Sequence, residues 1–212
     1  SKNLSKSASK LIVEIDVTNP QHCQFISLST SHTLPSYKGL MIEYKIDSKT
    51  KHDYDHTFIL LNKRKEHKFK LFKLGMSNLL SHVTEEVYLN LFTLNNNALK
   101  YIIENCYSCR KLTLRACEIN IDQSFSIKLS KRYAIEDMNL FGTCDLKNKD
   151  YMNEEKLRIF AEVIGCTYMS HSLCIVRVCE NMFPSSLAEK IFNEYKLNVE
   201  VVGESHIQRS IE

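Results

Sequence analysis

The feature that most constrains this chain is an apolar frame that recurs in its second half. Cys109, Leu112, Leu114, Cys117 and Ile119 stand at fixed offsets. Ile135, Met138, Leu140 and Thr143 repeat the frame, and so do Leu173, Val176, Val178 and Asn181. An apolar-x-apolar pair puts two side chains on one side of a strand and the middle residue on the other. One such unit cannot cover its own apolar side, whereas a stacked neighbour can. Helical patterns lie between the pairs. Leu99, Ile102, Ile103 and Cys106 fall at i, i+3, i+4 and i+7, one helix face. Asn153 is placed to cap a helix carrying Leu157, Phe160, Ala161 and Ile164, with Gly165 as its stop. Ser186 and Glu189 form a capping box before Leu187, Ile191, Phe192 and Tyr195. A last short strand, Val199–Val201, follows.

Upstream the frame loosens but the pairs continue at Val13/Ile15, Ile42/Tyr44, Phe69/Leu71 and Leu89/Leu91. Eight strands are predicted, with first core positions 13, 42, 69, 89, 112, 138, 176 and 199. Every interval except the 38 residues from Met138 to Val176 falls in a window of about 20–29 residues, typical of one strand-and-return repeat. The long interval predicts a loop at Cys144–Met152. Phe25–Ser29 and Phe58–Asn62 read as strands on the far side of the first two units. The expected fold is α/β: a repeat solenoid with a curved parallel sheet, helices on its convex side and irregular, β-rich N-terminal repeats. Its parts are a flexible segment 1–10, the solenoid 11–202 (divergent over 11–94, regular over 95–202) and a polar tail 203–212. Both polar ends are poor caps, which suggests a longer chain or a partner that covers them. The rival architecture is a doubly wound α/β domain, which favours longer apolar strands and a Gly-rich first turn.

The segments 109–119, 135–144, 172–181 and 188–202 resemble ribonuclease-inhibitor-like leucine-rich repeats. They look like the divergent repeats of ciliate proteins in particular. The resemblance covers the C-terminal half well and the N-terminal half weakly, and Met138 departs from the usual Leu. It implies a protein-interaction scaffold without catalysis. Such a scaffold is often a fixed subunit of a larger assembly, ciliary or organellar, with a cytoplasmic or cytoskeletal address.

Chemistry-bearing motifs are sparse. With 5 Gly the chain has neither GxGxxG nor GxxxxGK[ST], so no cofactor is expected. Of 8 Cys, Cys106 and Cys109 make one CxxC with no second pair and no HxxxH downstream. Buried free thiols in a reducing compartment are the simpler reading. His52, Asp53, Asp55 and His56 crowd the stretch Asp47–His56, which reads as a polar hairpin tip and not a metal site. No acid, base and nucleophile can be assigned to one centre, so no enzyme is expected; an enzyme on a different α/β fold stays as a rival. No apolar run approaches the roughly 18 residues of a membrane span.

In this frame the residues beside the core pairs line the concave sheet. Phe72, Phe92 and Phe141 follow the second core residue in three repeats and suggest a lane for a protein partner. Tyr88, Arg115, Arg177, Lys68 and Lys70 join them as candidate partner-binding residues. A slip of one residue would turn every one of these side chains to the other face. The basic run Lys63, Arg64, Lys65, Lys68, Lys70 and Lys73 supports a second reading, a ribonucleoprotein subunit gripping RNA backbone. Against it, 28 basic and 25 acidic residues leave a net charge of only +3.

Overall fold

The computed structural model describes residues 12–16, 21, 24, 34, 36–43, 76–90, 93–115, 117–122, 132–140, 153–180 and 183–204. The fold is α/β. Strands β1 (Ile12–Asp16), β2 (Tyr37–Glu43), β3 (Val83–Asn90), β5 (Lys111–Arg115), β7 (Asp137–Asn139), β8 (Ile175–Cys179) and β9 (Glu200–Glu204) form one sheet. They lie side by side in chain order and every pair is parallel. Two short strands, β4 (Thr93–Asn95) and β6 (Glu118–Asn120), pair in a second parallel sheet just beyond the ends of β3 and β5.

The register runs Val13, Leu40, Val87, Leu112, Met138, Val176, Val201 across the sheet. Three expected first core positions therefore move by two residues: 42 becomes Leu40, 89 becomes Val87 and 199 becomes Val201. A shift of two keeps each side chain on its face, because strand side chains alternate with period two. In β2, β3 and β9 the pattern thus located the buried side and misjudged where the core pair starts. β2 pairs directly with β3. Phe69 and Leu71, the expected strands at 25–29 and 58–62, the loop at 144–152, Thr143 and Asn181 lie outside the described residues.

Helices α1 (Asn96–Asn105), α2 (Glu154–Gly165) and α3 (Ser185–Glu194) share one core with the sheet. Leu99, Ile103, Phe160, Ile164, Ile191 and Phe192 are fully buried in it, together with Val87, Leu112, Met138 and Val176. The Asn153 side chain accepts from Lys156 N at 2.8 Å, and Glu154 and Glu155 occupy the first turn of α2, where they complement the helix dipole. Asn95 caps α1 in the same way, accepting from Ala98 N at 2.9 Å.

The capping box at Ser186 is corrected. α3 starts at Ser185 behind Pro184, whose φ of −58° is already that of a first helical turn. Its first amide is met instead by Glu180, whose Oε2 accepts from Ser185 N at 3.1 Å. A helical stretch at 76–81 was not anticipated. Met76, Leu79 and Leu80 are buried and hold i, i+3, i+4 spacing, so the signal was present in the sequence.

Candidate functional site: the open face of the sheet

The helices pack on the sheet face that carries Leu40, Val87, Leu112, Met138 and Val176. The alternate residues form the opposite face in three rows. The first runs Gly39, Glu86, Lys111, Asp137, Ile175, Glu200. The second runs Met41, Tyr88, Thr113, Asn139, Arg177, Val202. The third holds Arg115 at one side and Glu204 and the buried Cys179 at the other. Met41, Tyr88, Asn139, Arg177 and Val202 are half-buried and Arg115 is exposed. Thr113 is only 4% exposed, a small residue shielded by longer neighbours.

Direct and diagonal contacts between neighbouring strands tie this face together. Lys111 Nζ stands 3.6 Å from Glu86 Oε1, and the Thr113 hydroxyl donates to the same oxygen at 2.8 Å. Arg177 Nε donates to Asp137 at 3.0 and 3.1 Å, and its Nη1 to Glu204 at 3.1 Å. Partial burial opposes the Arg177 charge, but the two carboxylates outweigh it and hold the guanidinium more firmly protonated than usual. Arg115 Nη1 donates to the Tyr88 phenol oxygen at 3.1 Å. A separate charged row edges the N-terminal ends of the strands: Lys38 lies 3.6 Å from Glu85, and Arg110 2.8 Å from Glu136.

Of the expected partner-binding residues, Tyr88, Arg115 and Arg177 lie together on this face. Phe72, Phe92, Phe141, Lys68 and Lys70 lie outside the described residues, as do Lys63, Arg64, Lys65, Lys73 and the stretch 47–56. The register alters the equivalence behind the phenylalanine lane. With Val87 and Leu89 as the core pair of β3, the place after the second core residue is 90, not 92. In β7, where Met138 pairs with Leu112, that place by count is 141. Lys111, Glu86, Asp137 and Glu204 complete the face and were not all anticipated. The parity of the core pairs reaches Lys111 and Asp137 directly, Glu86 once Val87 replaces Leu89 as a first core residue, and Glu204 once Val201 replaces Val199.

Of the described thiols, three belong to the core, whereas Cys166 and Cys174 are exposed. Cys106, Cys109 and Cys117 are buried and free. Cys109 Sγ donates to the Cys106 carbonyl at 3.2 Å, and Cys117 Sγ to the Leu89 carbonyl of the neighbouring strand at 3.5 Å. Burial pushes the Cys106 thiol well above its usual range, and the neighbouring Cys109 adds to this, so it is a poor thiolate. Burial likewise raises the Tyr133 phenol, whose hydroxyl finds no hydrogen-bond partner. Among the described residues no three His, Cys, Asp or Glu gather as a metal site, and no helix is long and apolar enough to cross a membrane. No protein-family model, curated protein or solved structure matches this chain.

Proposed function

We propose that this chain is a non-catalytic scaffold, a leucine-rich-repeat-like solenoid that holds a protein partner on the open face of its sheet within a larger assembly. One observation carries the reading. Seven parallel strands follow chain order, one face is sealed by helices, and the other presents Tyr88 and Arg115 together. Stacked repeats use such extended faces for binding, and Tyr and Arg are the residues that most often dominate interface energies. The repeated frame of Cys109–Ile119, with Cys117 bonding back to the neighbouring strand, supports the solenoid part of the proposal.

The test is a pulldown of the tagged full chain from its source cells, read by mass spectrometry with and without ribonuclease. Wild type is compared with Tyr88→Ala and Val202→Arg, each checked for folding by circular dichroism. The expected result is a stoichiometric protein set, insensitive to ribonuclease and lost in both variants. Retention of the set by both folded variants overturns the docking face. Loss of the set on ribonuclease treatment replaces the scaffold with the RNA reading centred on Lys63–Lys73.

A further inference from the structure

We infer that the segment docked on this face sets one carboxylate against Arg115, beside the Tyr88 hydroxyl, and is otherwise neutral; the inference rests on the partner-binding reading above. The charges of the face single out this residue. Lys111 is matched by Glu86, and Arg177 by Asp137 and Glu204. Arg115 is exposed, and among the described side chains its partner is the neutral phenol oxygen of Tyr88. A guanidinium carries five N–H donors in a planar fork that fits a carboxylate with two parallel bonds. The bond to Tyr88 fixes that fork in advance, which lowers the entropy lost on binding.

The surroundings decide between such a protein segment and nucleic acid. Thr113 and Asn139, neutral in every condition, run along the middle row beside Tyr88. Glu86, Asp137, Glu200 and Glu204 share the face. A continuous polyanion laid across it meets those carboxylates. An extended peptide that sets one carboxylate at Arg115 and neutral residues elsewhere does not.

The experiment uses the full chain at low ionic strength and three fluorescein-labelled probes. They are a Gly-Ser peptide carrying a single Glu, the same peptide with Gln for Glu, and an oligouridylate. Binding is read by anisotropy and by the Arg115 side-chain Nε signal in nuclear magnetic resonance. The Glu peptide is expected to bind and move that signal. Arg115→Gln is expected to weaken binding about tenfold, the size of one solvent-accessible charged contact. Arg110→Gln, already paired on the rim, is expected to leave it unchanged. Equal binding by Arg115→Gln, equal binding of the Gln peptide, no shift at Arg115, or preferential binding of oligouridylate through Arg115 would each overturn the inference. If the Glu peptide fails while Tyr88→Ala still strips the pulldown, the docking face stands and only the carboxylate at Arg115 falls. If neither responds, both fall.

Discussion

The seam between β3 and β5 and the seam between β8 and β9 are built from the same parallel register but closed by different forces. At the first, Val87, Leu89, Leu112 and Leu114 are all 3% exposed or less. The Cys117 thiol crosses to the Leu89 carbonyl, and the paired strands β4 and β6 extend the seam outward. At the second, Val201 and Val202 of β9 remain half-buried, so apolar cover is thinner and the polar contacts count for more against it. Arg177 bridges Asp137 to Glu204, and the Glu180 carboxylate lies over Gly203 to reach the first amide of α3. A central strand gains apolar cover from neighbours on both sides. A strand with one described neighbour gains less, and polar contacts then hold it in register.

Core truncation gives the largest contrast. Leu112→Ala is expected to destabilise the chain by about 2–5 kcal/mol, since it empties a fully buried site. Val201→Ala, half-exposed, is expected to lose roughly 1 kcal/mol. Urea unfolding followed by circular dichroism measures both, and equal losses would erase the distinction between the seams.

Gly203 gives the next effect. A Cβ there would overlap Glu180 Oε2 outright and stand 2.9 Å from Glu180 Cδ and 3.2 Å from Ser185 Cβ. Glu180 is the part free to move, so Gly203→Ala is expected to displace it and cost about 1 kcal/mol, the usual worth of an N-terminal cap. Glu180→Ala should cost about the same. The double variant should then be little worse than either single one, because both remove one contact. Simple addition of the two losses would show that Gly203 is needed for another reason.

The two arginines of the open face separate by role. Arg177→Gln strands Asp137, whose side chain is only 19% exposed, and is expected to cost about 1 kcal/mol. Arg115→Gln removes a bond to an exposed phenol and is expected to change stability by less than about 0.5 kcal/mol. Similar losses in thermal unfolding would mean that Arg115 holds the sheet together instead of serving a partner.

How much of this was legible follows from what periodicity encodes. The rungs at Val13, Leu112, Met138 and Val176 were readable because an isolated apolar-x-apolar pair marks one face without ambiguity. In β3 the run Val87, Leu89, Leu91 offers two equally good pairs, so the start slipped by two residues while the face stayed right. The phenylalanine lane depended on the exact start and lost its equivalence with that slip. The helix caps at Asn95 and Asn153 are local signals, and Asn153 was read correctly. The cap from Glu180 was not readable, because it depends on Gly203 lying beside Glu180 across two strands, with α3 and its return between them in the chain. The pairing of Arg115 with Tyr88 likewise joins residues brought together only by the sheet register.

The smallest effect lies in the helix layer behind the second seam. Arg158 of α2 bonds Glu154 on its own helix at 2.8 Å and also Glu194 at the end of α3. The hydrogen bond from Arg158 holds the Glu194 carboxyl below its ordinary value of 4.5. A carboxyl whose folded value is lowered adds stability above its unfolded value and loses it as pH falls through the folded one. The contribution of this tie is therefore complete above 4.5 and disappears on acidification below it. Both groups are exposed, so the effect is small and weakened by salt. Wild type is expected to be slightly more stable than Glu194→Gln near pH 7, with the gap closing near pH 3. Urea midpoints at the two pH values measure it. A gap that widens on acidification would show that Glu194 opposes the packing of α2 on α3, and charge would then no longer explain how this end of the molecule is held.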